Sequence, residues 1–93
     1  MITYSREAEQ DVEKLHDWLL QFGPRSAELF MARLALAERR IAGHPLMYRC
    51  LGDGETHRYA YRINRTTYLV DYRVEATAIV VLRVWHGRQH RPV

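Results

Sequence analysis

The residues best equipped for chemistry stand near the end of the 93-residue chain, in VVLRVWHGRQHRPV, residues 80–93. Arg83, His86, Arg88 and His90 together hold a base, an acid and positive charge. RNA cleavage by 2′-hydroxyl attack needs those groups: a base for the hydroxyl proton, an acid for the leaving oxygen, and cations for the charged phosphorane. A catalytic set would be His86 with Arg83 and Arg88. The competing reading is a docking surface, in which Trp85, His86, Arg88, His90 and Arg91 form an exposed, basic, aromatic edge. Trp and Arg are the residue types that most often dominate binding energy at interfaces.

Other chemistries find little to stand on. His86 and His90 have the i, i+4 spacing of a helical metal pair, but Gly87 and Pro92 oppose a helix, and no acidic residue follows Glu75. No metal and no other cofactor are expected. Ser5 and Ser26, the only serines, sit where helices start. Cys50 has Arg49 beside it but no recognisable base, and reads as inert and half-buried. A single thiol also excludes an internal disulfide. The GDG at 52–54 has neither the glycine spacing nor the following helix of a phosphate loop.

The elements that must position the tail follow from periodicity. Residues 1–4 (MITY) read as an opening strand. Ser5 then suits an N-cap, with Glu7 and Glu9 well placed against the helix dipole. Ala8, Val12, Leu15, Leu19 and Phe22 form one apolar helical stripe. Gly23-Pro24 ends that helix and begins another, whose stripe is Ala27, Phe30, Leu34, Ala37 and Ile41; Gly43 and Pro45 stop it. Residues 57–63, 66–74 and 77–86 read as strands joined by the short polar links Asn64-Arg65 and Glu75-Ala76. The fold class is therefore α+β, ordered β-α-α-β-β-β, with a helix hairpin packed on a small, mostly antiparallel sheet. The last strand is apolar on both faces, as a central strand should be.

Strand alternation assigns charges to faces. Tyr68, Val70, Tyr72 and Val74 share one face, with Leu69, Asp71 and Arg73 opposite. In the last strand it groups Arg83 with Ile79, Val81 and Trp85, opposite Val80, Leu82 and Val84. If the register brings Arg58, Arg62, Arg73 and Arg83 together, they make a basic sheet face framed by apolar residues. The alternative is a solvated face with Asp71 as a local partner.

Bulk properties set the outer limits. With 47% hydrophobic residues, residues 1–93 suit one domain. No stretch is long and apolar enough to cross a bilayer, and the start MITYSREAEQD has no apolar signal core, so the cytoplasm is expected. Thirteen of the fourteen basic residues are Arg, whose planar fork suits carboxylates and phosphates. A net charge of +3 allows an acidic partner, while direct, specific DNA binding is not expected.

The order of these motifs resembles the toxin superfamily that includes ParE and RelE. The likeness runs from SREAEQDVEKLHDWL (5–19) through GPRSAELFMARL (23–34), His44-Pro45 and His57-Arg58 to YLVDYRV (68–74) and IVVLRVWHGRQ (79–89). It implies a single RelE/ParE-like domain and the toxin of a type II toxin–antitoxin pair. ParE-like members inhibit DNA gyrase without being nucleases; RelE-like members cut mRNA on the ribosome. RelE-like ribonucleases tend to carry a basic residue where this chain has Leu69, and several carry a catalytic Tyr where it has Gly87. The resemblance thus favours the gyrase-directed, non-catalytic type, with the plasmid-stabilising role of such toxins and the ribosome-dependent endoribonuclease as the alternative. It also implies a cognate antitoxin wrapped over the helix hairpin, for which Trp18 and Met31, off the main stripes, are candidate contacts.

Overall fold

Ser5 makes the first junction. Its hydroxyl accepts the Ala8 N–H at 3.1 Å and donates to the Leu82 carbonyl at 2.9 Å, so one side chain caps a helix and ties it to the last strand. The computed structural model describes residues 1–87. Its elements are β1 (Ile2–Tyr4), α1 (Arg6–Leu20), α2 (Pro24–Gly43), β2 (Arg49–Cys50), β3 (Thr56–Ile63), β4 (Thr66–Val74) and β5 (Ile79–His86). They form one five-stranded sheet in the order β1-β5-β4-β3-β2. β1 runs parallel to β5 and the remaining pairs are antiparallel. The α+β expectation holds with one strand added, the two-residue β2, which is too short to leave a periodic signal.

Both helices lie on one face of the sheet. All five stripe residues of α2 are buried, and from α1 Ala8 and Leu15 are buried, while Val12 and Leu19 are half-buried. Against them the sheet sets Tyr59, Tyr61, Tyr68, Val70, Tyr72, Ile79, Val81 and Val84. Phe22, counted into the first stripe, is 64% exposed at the hairpin turn. Gly23 carries the reversal with φ 110, a backbone angle that side chains resist, and Pro24 opens α2. Asn64, at φ 55, turns β3 into β4. The link from β4 to β5 is longer than the sequence suggested: β5 begins at Ile79 rather than Thr77, and Glu75 N–H closes the turn on the Ala78 carbonyl at 2.8 Å.

The pairing of β4 with β5 contains a β-bulge. Val70 faces Val84 and Asp71 faces Arg83, but Tyr72 faces Val81, so Leu82 is the extra residue. The bulge resets the alternation. Val84 joins Ile79 and Val81 in the core under the helices, and Arg83 and Trp85 turn to the far face with Asp71. The expected grouping of Arg83 with Ile79 and Val81 is therefore corrected.

β1 covers only the first part of β5, pairing with Ile79, Val80 and Val81. Beyond it α1 takes over that edge: the Val84 N–H donates to the Asp11 carboxylate at 2.9 Å. An edge amide that would otherwise lack a partner is satisfied by a helix side chain.

Candidate functional site

The far face of the sheet collects the arginines. Registers Arg49↔Arg58, Arg58↔Asp71, Arg62↔Thr67 and Asp71↔Arg83 put Arg49, Arg58, Arg62, Arg73 and Arg83 on the side away from the helices. Arg58, Arg62, Arg73 and Arg83, whose meeting alternation left to the register, share this face with Arg49 of β2, and Asp71 is the local partner of Arg58. At its centre Arg58 and Asp71 form a two-pronged pair, Nε to Oδ1 at 2.7 Å and Nη2 to Oδ2 at 2.9 Å, both side chains nearly buried. The carboxylate raises the guanidinium's affinity for its proton, against an opposing effect of burial. The same Asp71 accepts the Trp85 indole N–H at 2.7 Å. Arg83 lies over the Trp85 ring, 4.3 Å from its centre, and pairs with Asp11 at 2.7 and 3.0 Å. Arg73 pairs with Glu75. A shallow cleft of about 270 Å³ opens over Arg58, Asp71, Arg83 and Trp85, with Asp53 and Thr56 on its wall. There Asp53 accepts the Glu55 and Thr56 N–H groups and the Thr56 hydroxyl, which hold its carboxyl down at about 2.

The expected exposed aromatic edge divides. Trp85 is only 7% exposed; Asp71 and Arg83 sandwich it into the far face, because an indole beside a buried carboxylate gains a hydrogen bond that solvent would have to replace. It is thus corrected from an exposed to a buried residue. His86 is on the opposite side, packed edge-to-face between Trp18 at 5.1 Å and Tyr68 at 5.4 Å. Arg88, His90 and Arg91 lie outside the described residues. Gly87 has a steric cause: a Cβ there would sit 2.6 Å from the Thr67 carbonyl oxygen. Cys50, expected half-buried, is exposed.

Of the residues set aside for a partner, Trp18 is 40% and Met31 42% exposed. They stand apart in place: Trp18 packs edge-to-face on Phe22 and His86 near the hairpin turn, whereas Met31 lines a groove beside β1. Sequence reasoning missed Asp11, Tyr4 and Glu38. The stripe left Asp11 off the apolar face, and nothing local announces that it reaches β5.

These features coincide with a known family. The family described as ParE toxin of type II toxin-antitoxin system, parDE, matches residues 2–91. This chain belongs to the ParE toxin family. Among curated relatives of this family member is a protein of Caulobacter vibrioides named Toxin RelE1, 27% identical over 90 residues, spanning 97% of this chain and 96% of the relative. A solved structure titled Chromosomal ParDE TA system from P. aeruginosa superposes with a TM-score of 0.74, covering 94% of this chain and 95% of that one at 16% identity, which establishes a shared fold. Among the described residues no helix is long and apolar enough to cross a membrane.

Proposed function

We propose that this ParE family toxin acts without catalysis, by binding DNA gyrase and blocking replication, and that a cognate antitoxin neutralises it. The observation that carries this reading is the separation of base from cation. His86 packs under Trp18 on the helix side, while Arg83 lies on the far face, engaged with Asp11 and Trp85. His57 is also on the helix side, stacked on Tyr72 with its Nδ1 3.1 Å from the Tyr48 carbonyl oxygen. Neither of the two strand histidines, His57 and His86, therefore shares the arginine-bearing face, and Leu69 is buried there without charge. A general base and a phosphate-stabilising cation have to converge on one reacting group.

In this reading the end of β5 and the residues after it offer His86, Arg88, His90 and Arg91 to gyrase, with Trp85 holding the strand in place from beneath. Trp18 and Met31 belong to the antitoxin surface.

The test is incorporation of labelled thymidine and labelled leucine in the minutes after induction in bacteria. Thymidine uptake is expected to fall first while leucine uptake holds. Early collapse of leucine uptake would overturn the reading in favour of the ribosome-dependent endoribonuclease, and would make His86 with Arg83 and Arg88 the residues to study.

A further inference from the structure

β2 covers only the beginning of the outer edge of β3, with Arg49 opposite Arg58 and Cys50 opposite His57. Among the described residues no strand lies beside residues 59–63 on that edge. Two hydrogen bonds show which backbone groups face outward there. The Thr56 carbonyl accepts the Leu51 N–H at 2.7 Å from the β2 side, and the Arg62 carbonyl accepts Arg33 Nη2 at 2.8 Å from α2. Peptide groups alternate in direction along an antiparallel strand, so Ala60, two residues before Arg62, also aims its N–H and C=O outward. Ala60 is exposed, and its side chain is a single methyl group that obstructs nothing.

Guanidinium groups border this edge on both sides. Arg33 and Arg40, about two turns apart on α2, reach it from the helix side, Arg40 donating to the Tyr59 hydroxyl at 3.1 Å. Arg49 and Arg62 border it on the far face. None of these four has a carboxylate within 4.0 Å among the described residues, whereas Arg58, Arg73 and Arg83 each have one. Charge beside an open edge repels most strands and so guards against random pairing. The same charge favours a strand that brings carboxylates. An extended segment laid along β3 alternates its side chains between the two faces, and each face has cations to meet them. A second copy of the chain fits poorly: antiparallel pairing centred on Ala60 sets Arg58 of one copy against Arg62 of the other. A polynucleotide meets the cations but has no ladder of amides and carbonyls for Ala60.

We infer that the uncovered part of β3 takes an acidic, extended polypeptide segment of a protein partner as an added strand. Backbone bonds to Ala60 and to the Arg62 N–H hold the segment in register. Its Asp or Glu side chains meet Arg33 and Arg40 on one face and Arg49 and Arg62 on the other. The inference stands independently of which macromolecule the toxin poisons.

The test titrates the full, isotope-labelled chain with a short synthetic peptide of alternating Glu and Val, followed by NMR. The Glu peptide is expected to shift the Ala60 and Arg62 amide signals, to slow their hydrogen exchange, and to bind more weakly as salt rises. The same peptide with Lys in place of Glu is expected to leave both amides unchanged. N-methylation along one edge of the Glu peptide keeps its charge and removes its donors, and is expected to weaken binding about tenfold. The variant Arg33→Gln/Arg62→Gln is expected to bind the unmodified Glu peptide about fivefold or more weakly. Arg6→Gln/Arg25→Gln, the same change of net charge at the two helix starts, is expected to bind like the parent. Unmoved Ala60 and Arg62 amides under the Glu peptide, or equal binding of its methylated form, would overturn the inference. A single-stranded DNA oligomer that binds more tightly than the Glu peptide would overturn it in favour of a nucleic-acid surface. Should Arg33→Gln/Arg62→Gln lose its helical circular dichroism, the three peptides on the parent chain decide the matter.

Discussion

Alanine at position 71 would strand the Arg58 guanidinium against the sheet and leave the Trp85 indole N–H without its acceptor. Breaking a buried ion pair from one side costs about 3–5 kcal/mol, so Asp71→Ala is expected to lose that much in chemical denaturation. Removing both charges, as Arg58→Met with Asp71→Leu, is expected to cost less than Asp71→Ala alone. Tyr61 makes the opposite case. Its ring stacks on Tyr68, but its hydroxyl is buried with no hydrogen-bond partner among the described residues. Tyr61→Phe keeps the stack and removes the stranded hydroxyl. Its thermal midpoint is expected to stay level or rise, by the equivalent of up to about 1 kcal/mol. At this scale the sequence was partly legible. Counting along β3 and β4 was enough to put Arg58 with Arg62 and Arg73 with Asp71, since faces alternate strictly there, but not to bring the two sets onto one face, which the register decides. That Asp71 would hold Trp85 from below was not readable, because it depends on which residues of β4 and β5 stand opposite one another.

The bulge at Leu82 and the carboxylate of Asp11 act together at the scale of the element. The bulge turns Arg83 outward, and Asp11 binds both that side chain and the Val84 N–H behind it, closing the stretch of edge that β1 leaves open. Asp11→Ala is expected to destabilise the domain by about 1–3 kcal/mol and to speed hydrogen exchange at the Val84 amide, measured by NMR. Asp11→Asn keeps an acceptor for that amide and is expected to lose less. The helices were legible almost to the residue, because stripe, cap and breaker are local: Ser5 and Gly23-Pro24 act where their chemistry suggests, whereas Gly43 is the last helical residue and His44 takes the cap position. The bulge was not, for an extra apolar residue in an apolar run leaves no mark on the pattern. Neither was β2, which is two residues long and finds its place only by pairing with β3.

The molecule as a whole keeps its tyrosines in the core or packed against it. Tyr4, Tyr61, Tyr68 and Tyr72 all have their pKa raised, burial being the largest cause in each case. The fold thus prefers the neutral phenol. Its contribution to stability is intact below pH 10, the ordinary value, and is lost as pH climbs through the folded values, about 12 for Tyr72. Thermal midpoints are expected to hold up to pH 10 and fall above it, with tyrosinate absorbance rising together with the loss of helical signal. Ionisation of these four tyrosines near pH 10 with the fold intact would contradict this. The topology has a consequence in time as well. β5 leaves the ribosome last among the strands, yet it stands between β1 and β4, and Ser5 reaches its partner Leu82 across 77 positions. Contacts so distant form late and make folding wait for the whole chain. A message cut short before residue 79 yields a chain whose first strand has no neighbour and whose helices lack Ile79, Val81 and Val84 from their floor. Synthesis interrupted before β5 therefore leaves fragments without the fold, and the folded domain exists only once translation has passed residue 86.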